Sequence, residues 1–392
     1  MKHMRNAVVM LLLAAGAPLQ AQRQPPSPEA TIVSTFIRAN YRTPEQYVLS
    51  KFAAHDVVLL GEMHFIKQQL LLVQGLVPLL HERGIHNLAT EFARRVDQPL
   101  IDSLLLAPEY DERLAREIVF RWWVTWGFEE YLDIFHAAWK VNHARKPGSQ
   151  MFRILAMNNA PNWHLVPEDP ARRTEAFEAV YHGEEEKDWA GPVLHAVRAG
   201  GKVLVHTGMH HALTRYRQPI VIDRKLVRYD SSRVGNVLYR ELGDRTFFIA
   251  QYMPWPDRTG YGRLNTLPAH GAIERALLEL PPGMRRAGFD LRGTPVGALA
   301  DTLAVYSFGY EPFTLEKFAD GYVTLAALAD FEAVTPVPDW INEGNLERAR
   351  RDVTVPSMRG YTVEQFQRDA NLDVKALIAD FFKRHPEFDY RN

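Results

Sequence analysis

Asp56-Val57-Val58-Leu59-Leu60-Gly61-Glu62-Met63-His64 is the stretch that decides the fold of this 392-residue chain. Its apolar, partly β-branched run is typical of a strand buried on both faces of a parallel sheet. The run breaks at a glycine, after which a helix is predicted over residues 66–83 and a second strand over 87–91. The stretch therefore predicts a β-α-β unit whose first strand ends in the turn Gly61-Glu62-Met63-His64.

The same pattern of an apolar strand followed by Gly-x-x-His recurs at Gly208-Met209-His210-His211, which indicates an internal duplication. Further strands are predicted over 152–157, 202–206, 245–251 and 322–326, and helical segments over 98–107, 110–120, 129–145 and 171–199. We therefore expect an α/β fold in which a central, mostly parallel sheet of two related halves is flanked by helices, with a helical C-terminal extension.

The N-terminus predicts export. Lys2 and Arg5 precede an apolar run over residues 7–17, and small residues then offer cleavage after Ala21. The run is much shorter than the roughly 20 residues that span a bilayer, so no stable membrane insertion is expected, although an uncleaved anchor is the alternative to a signal peptide. The predicted divisions are a signal peptide over 1–21, a proline-rich linker over 22–28, one α/β domain over 29–335 and a C-terminal extension over 336–392.

Composition narrows the function. The net charge of −1 provides no field that would collect nucleic acid. The chain contains no cysteine, which excludes disulfides, thiolate metal ligands and cysteine nucleophiles, and suits a periplasmic or secreted protein. The sequence also lacks the Gly-x-Ser-x-Gly elbow, the phosphate-binding loop and the dinucleotide fingerprint. Its partner is therefore expected to be a small molecule or a peptide.

Glu62 and His64 are the first candidate site residues. The two residues are two positions apart in an extended segment, so their side chains point to the same side of it. They lie at the carboxyl end of a strand, where α/β sheets bind ligands. Such a pair could orient a histidine base or supply two ligands to a divalent metal. The alternative is a turn in which Glu62 complements the N-terminus of the following helix.

Glu91 ends the neighbouring predicted strand and adds a second carboxylate at the same edge. Arg94 and Arg95 follow it, and either could stabilise an oxyanion or pair with Glu91. For at least one of them, an exposed arginine at a helix start is the alternative.

Three histidines surround the second Gly-x-x-His turn. We favour His211, which matches the position of His64, whereas His206 lies within the apolar run and is expected in the core; His210 is left open. Asn158 could bind substrate or form an Asx turn. Trp126 could wall a pocket for a large ligand, although core packing is favoured for its aromatic cluster.

In their order along residues 56–212, several motifs resemble the ChaN-like haem-binding uptake family, which belongs with the TIKI/TraB proteases and the erythromycin esterases. The motifs are Leu59-Leu60-Gly61-Glu62-Met63-His64, the Glu91 strand, Trp126-Gly127, Leu155-Ala156-Met157-Asn158 and Val205-His206-Thr207-Gly208-Met209-His210-His211-Ala212. The resemblance implies one cleft where both Gly-x-x-His turns meet the Glu91 strand, and it nominates Glu62, His64, Glu91 and His211.

The resemblance leaves the chemistry open. TIKI-like members are described as metal-dependent proteases, and the esterases are thought to use a histidine base without metal. In the esterases two residues separate the glutamate from the histidine, whereas only Met63 does so here, which disfavours a macrolide esterase.

Two functions are expected from these residues. The first is an ester or peptide hydrolase, of esterase or metallopeptidase type. Its catalytic residues would be Glu62, His64, Glu91 and His211, with Arg94 at the oxyanion. If a metal is bound, its ligands would be His64, His211 and Glu91. The second is a protein that binds haem or another iron ligand without catalysis. A divalent metal or haem is accordingly the expected cofactor class.

Overall fold

The computed structural model describes residues 27–173, 175–261 and 263–391. The predicted signal peptide over 1–21 lies outside these residues, as does most of the predicted linker. Within the described ranges, no helix is both long enough and apolar enough to cross a membrane.

A seven-stranded sheet forms the centre of the described part of the chain, with the strand order β10-β11-β7-β1-β4-β2-β3. The strands are β1 (Val57–Glu62), β2 (Asn87–Arg94), β3 (Arg153–Asn158), β4 (Val203–Gly208), β5 (Gln218–Ile222), β6 (Lys225–Asp230), β7 (Thr246–Gln251), β8 (Trp255–Pro256), β9 (Leu264–Thr266), β10 (Ala287–Asp290) and β11 (Gly321–Thr324). All neighbours in the sheet are parallel except β10 and β11, and β5 with β6 and β8 with β9 form separate antiparallel pairs. The predicted fold class is confirmed.

Helices cover both faces of this sheet. They are α1 (Pro28–Ala39), α2 (Pro44–Lys51), α3 (Lys67–Glu82), α4 (Gln98–Leu106), α5 (Glu112–Trp122), α6 (Glu129–Ala144), α7 (Phe177–Tyr181), α8 (Ala190–Arg198), α9 (Val234–Leu242), α10 (Ala272–Glu279), α11 (Leu315–Phe318), α12 (Leu346–Asp352), α13 (Val363–Ala370) and α14 (Val374–Arg384). The predicted start of α5 is two residues early because the Asp111 side chain caps the helix at the Leu114 amide.

The helical segments predicted over 171–199 are interrupted. Among the described residues of this range, the structure has two α-helices, α7 and α8, with short 3-10 turns around them. His182 and Gly183 have φ angles of 54° and 72°, a left-handed conformation that ends α7. This break places Glu186 in the turn before α8, where it reaches the site described below.

Two interleaved halves make up the sheet. The first half supplies β1, β2 and β3, the second supplies β4, β7 and β11, and β10 adds an antiparallel edge strand beside β11. Strand β4, the first strand of the second half, lies between β1 and β2 of the first half. Strand β1, the first strand of the first half, lies between β4 and β7 of the second half. Every residue of β1 and β4 is buried, as expected for the central strands of a sheet covered on both faces.

The C-terminal extension is part of the hydrophobic core rather than an appendage. Trp340 and Phe366 join the apolar cluster on one side of the sheet, and Ile378 and Phe381 join the cluster on the other side. The amphipathic spacing of apolar residues in α14 explains this packing.

Glu274 in α10 is a buried carboxyl group that makes stability depend on pH. It accepts hydrogen bonds from the Tyr252 hydroxyl at 2.7 Å and from the Leu328 amide at 3.0 Å. Burial outweighs these bonds and raises the pKa of Glu274 from 4.5 to about 7. The folded protein therefore holds a proton that the unfolded chain releases, which stabilises the fold below pH 4.5 and is lost as pH rises through 7.

We expect this carboxyl group to reduce the free energy of unfolding by about 3 kcal/mol between pH 4.5 and 7.5. Urea unfolding of the wild type and of Glu274→Gln at both pH values measures the effect, because the other titrating groups are common to the two proteins. The decrease should be smaller in the variant by about that amount. Equal decreases in the two proteins would contradict the assignment.

Candidate functional site

The candidate site lies where the carboxyl ends of β1, β4 and β2 adjoin. Glu62 pairs in register with Gly208 of β4, and Thr90 of β2 pairs with His206. Because the three strands are parallel, the residues that follow them emerge at one edge of the sheet. This arrangement brings Glu62, His64, Glu91 and His211 together.

Glu62 is buried and holds three polar side chains. Its Oε1 atom accepts hydrogen bonds from the Tyr131 hydroxyl at 2.6 Å and from Nδ1 of His64 at 2.8 Å, and its Oε2 atom accepts one from Nε2 of His206 at 2.5 Å. Burial acts to raise the pKa of Glu62, but the contacts with His206 and His64 outweigh it and lower the pKa to about 2. The carboxyl group is therefore ionised, so both imidazoles donate to it.

This donation fixes the tautomer of His64. With its proton on Nδ1, the neutral ring presents an unprotonated Nε2, which lies 3.7 Å from Oε1 of Glu91. The ring is held edge-on against Phe92 and Trp126, with centroids 5.9 and 5.2 Å away. The side chain is 36% exposed, so the free nitrogen is accessible from solvent.

The backbone around His64 is closely fitted. A Cβ atom on Gly208 would lie 2.8 Å from Cε1 of His64, so only glycine allows the ring this position. Phe65, the next residue after His64, has a φ of 71°, a conformation that non-glycine residues rarely adopt. Such strain next to a polar cluster is typical of functional sites.

The pKa of His64 is raised above its ordinary value of 6.5. Burial acts to lower it, but the hydrogen bond to Glu62 and the negative charge of Glu91 outweigh burial. The ring can therefore take up a proton near neutral pH, as a general base requires.

His211 repeats this arrangement from the second half of the fold. Its Nδ1 atom lies 2.8 Å from Oε1 of Glu186, and its Nε2 atom lies 4.0 Å from Oε2 of Glu91. Glu186 is fixed in turn by Arg233 at 3.0 Å and by the Val234 amide at 2.9 Å. Burial acts to lower the pKa of His211, but the charges of Glu91 and Glu186 raise it above 6.5.

Glu91 lies between the two imidazoles and is itself buried. Its Oε2 atom accepts hydrogen bonds from the Gly208 amide at 2.8 Å and from the Thr207 hydroxyl. Asn158, which was predicted to bind substrate or to form a turn, donates through Nδ2 to the backbone carbonyl of Glu91 at 3.1 Å and accepts through Oδ1 from the Asn159 amide at 2.8 Å. It therefore supports the strand end that carries the carboxylate.

A cavity of about 860 Å³ opens beside these residues, and we name it the aromatic cavity. His64, Glu91 and His211 all lie on its wall. Its other prominent lining residues are Trp122, Trp123, Trp126, Trp163 and Trp189. Trp126 is only 6% exposed, so it both packs in the core and lines the cavity. The volume is within the range of roughly 300–1,000 Å³ that is common for small-molecule sites.

Three candidates considered from the sequence, Arg94, Arg95 and His210, have other partners. The Arg94 guanidinium donates to Asp97 at 2.6 Å, and Arg95 donates to Glu184 at 2.6 Å.

His210 contacts the Tyr306 hydroxyl at 2.7 Å, and burial lowers its pKa to about 3. His210 is therefore neutral and lies in a smaller pocket that adjoins His64.

Three contributors to the site were missed from the sequence: Tyr131, Glu186 and Arg233. Tyr131 comes from α6, and the other two lie in turns before α8 and α9. No local pattern marks them, because their role depends on contacts with residues more than twenty positions away.

The predicted metal ligands have suitable donor atoms but not a suitable arrangement. Across the described residues, no group of three or more His, Cys, Asp or Glu side chains is placed to hold a metal ion. In the set of His64, His211 and Glu91, the Oε2 atom of Glu91 is already engaged by Thr207 and Gly208. We therefore derive no chemical step through a metal.

The chain matches no protein-family model and no curated protein sequence. It is similar to solved structures at low identity. A succinoglycan biosynthesis protein aligns with a TM-score of 0.51 and 12% identity over 79% of this chain and 97% of the other. The erythromycin esterase EreC, in its open conformation, gives 0.44 and 11% over 70% and 91%, and ChaN of Campylobacter jejuni, with cofacial haem, gives 0.34 and 14% over 56% and 89%. The likeness to these proteins concerns the fold alone.

Proposed function

We propose that the protein is a hydrolase of ester or amide bonds in which His64 is the general base. One observation carries the proposal: two imidazoles, each with a carboxylate oxygen 2.8 Å from its Nδ1 atom, direct Nε2 toward Glu91 on the wall of a large cavity. Carboxylate-oriented histidines next to a ligand-sized cavity are typical of general-base catalysis. We include in this proposal a relationship to the ChaN and TIKI families. We also include export to the periplasm or medium, which the N-terminal sequence supports.

The geometry supports a direct attack by water. Nε2 of His64 and Oε1 of Glu91 are 3.7 Å apart, a separation that one water molecule bridges with two hydrogen bonds of about 2.8 Å. His64 removes a proton from this water as its oxygen attacks the substrate carbonyl. The protonated His64 then donates that proton to the departing alcohol or amine, and the products are an acid and that alcohol or amine.

His211 is suited to stabilising the oxyanion that this attack creates. Its raised pKa favours the imidazolium form, whose Nε2–H is free because Nδ1 faces Glu186. A positively charged donor at the developing oxyanion lowers the barrier most in a site with little water. Arg94, the donor predicted from the sequence, is engaged with Asp97 instead.

The pH dependence of hydrolysis tests the proposal. With p-nitrophenyl acetate, kcat/KM should rise with pH through a midpoint above 6.5 as His64 becomes neutral, and should fall again at higher pH as the His211 imidazolium loses its proton, because the pKa of each ring is raised. In Glu91→Gln the negative charge beside His64 is lost, so the midpoint should move to lower pH and the rate should fall roughly tenfold to a hundredfold. Activity should persist in a chelator.

Two results would count against this mechanism. The first is a midpoint that is unchanged in Glu91→Gln, since the charge of Glu91 would then not act on the titrating base. The second is loss of activity on chelation with recovery on adding zinc, which would replace the histidine base with metal chemistry.

Binding of haem without catalysis is the second candidate, and the size and aromatic wall of the cavity favour it. Both Nε2 atoms on that wall are potential iron ligands. Titration with haemin, followed by absorbance, separates the two functions. A strong Soret band in a protein that hydrolyses no ester or peptide would establish the binding function, and hydrolysis that depends on His64 without haem uptake would exclude it.

A further inference from the structure

A second depression adjoins His64. It has a volume of about 560 Å³ and is lined by the turn after β1, by the segment after β11 and by α14. We name it the apolar groove. His64 and Phe65 lie on the walls of both the apolar groove and the aromatic cavity. A molecule that occupies both spaces therefore has its junction at His64.

Helix α14 presents one apolar face to the groove. Val374, Leu377, Ile378 and Phe381 follow the spacing of one helical face, and all four line it. Leu377 is 63% exposed although the three other residues of this face are buried. Leu377 therefore adds exposed apolar surface to the wall of the groove.

The opposite wall of the groove is also apolar, since Ile66, Leu328 and Phe331 lie there. The charged lining residues besides His64 are Arg263, Asp380 and Arg384, and Arg384 pairs with Asp380 at 2.8 Å. Helix α14 is tied to the segment after β11 by a hydrogen bond from Lys375 to the Ala329 carbonyl at 2.9 Å. The groove is therefore a fixed apolar channel that leads to His64.

We propose that the apolar groove holds the acyl chain of the substrate, with the ester carbonyl at His64 and the alcohol portion in the aromatic cavity. This inference rests on the proposed hydrolase function and specifies its substrate class: an ester between an aliphatic acid and a ring-bearing or otherwise bulky alcohol. The apolar walls suit an aliphatic chain, and the tryptophan-lined cavity suits a ring. The C-terminal extension, through α14, is then part of the substrate site.

The chain-length dependence of hydrolysis tests the assignment. We expect kcat/KM to be at least about tenfold higher for p-nitrophenyl octanoate than for the acetate, because the longer chain buries more apolar surface. Leu377→Gln should lower this octanoate-to-acetate ratio about fivefold. Leu106→Gln is the matched control, because Leu106 is a similarly exposed helical leucine away from the groove; it should change neither rate.

Equilibrium binding of sodium octanoate, followed by tryptophan fluorescence, separates this inference from the hydrolase function. Octanoate should bind the wild type and Leu106→Gln equally and Leu377→Gln about fivefold more weakly, even if no ester is hydrolysed. If acetate hydrolysis depends on His64 but octanoate binds all three proteins equally, or none of them, the groove assignment is wrong and the hydrolase function stands.

Discussion

Replacing His64 with alanine is expected to lower kcat/KM for ester hydrolysis by roughly 10²–10⁴-fold, the usual contribution of a positioned general base. The imidazole is the group whose Nε2 atom is left unprotonated by the Glu62 contact and that faces Glu91 across a water-sized gap. Alanine removes both the base and the donor that returns the proton to the leaving group. Steady-state rates over a range of ester concentrations measure the loss, which should appear mainly in kcat.

His143→Ala is a suitable control, because His143 is an exposed histidine near the end of α6 that contacts the Trp139 carbonyl. Its rate should stay within a factor of about two of the wild type. Folding of both variants is checked by circular dichroism. A well-folded His64→Ala protein with wild-type kcat would remove the histidine base from the mechanism.

Replacing Glu62 with alanine is expected to lower the free energy of unfolding by about 3–5 kcal/mol. The buried carboxylate is the common acceptor for Tyr131, His64 and His206, and alanine leaves all three donors without it. A buried donor that has no acceptor destabilises the fold by the full free-energy cost of its desolvation. Urea unfolding followed by fluorescence measures the change, and Glu62→Gln, which keeps one acceptor oxygen, should fall between alanine and the wild type.

Glu45→Ala provides the comparison for a carboxylate near the surface. Glu45 pairs with Arg286 at 2.6 Å near the start of α2, and its loss should cost no more than about 1 kcal/mol. If Glu62→Ala were as mild as Glu45→Ala, the Glu62 cluster would not be a stabilising part of the fold.

Much of the fold follows from the sequence because hydrophobic patterning and glycine positions determine its central elements. The apolar runs that precede the turns at Gly61 and Gly208 predicted β1 and β4, and both strands are buried along their full length. Parallel strands align their carboxyl ends, so Glu62, Glu91 and His211 could be expected to meet. Their meeting required no knowledge of the helices that cover the sheet.

The rest depended on tertiary contacts that a single sequence does not reveal. Tyr131 reaches Glu62 across 69 positions, and Glu186 reaches His211 from a turn that was predicted to be helix. The side chain of Arg94 was predicted at the oxyanion from its position after Glu91, but Asp97 lies three residues away and pairs with it. Which partner an arginine binds depends on side-chain geometry, which the sequence pattern does not reveal.

Because the two halves of the sheet are interleaved, an active molecule requires both of them. Because β4 lies between β1 and β2, neither half can complete its own set of adjacent strands before the other is in place. The site draws Glu62, His64 and Glu91 from one half and His206, His211 and Glu186 from the other. A half synthesised alone would have exposed strand edges and an incomplete site, so catalytic competence is a property of the fully assembled chain.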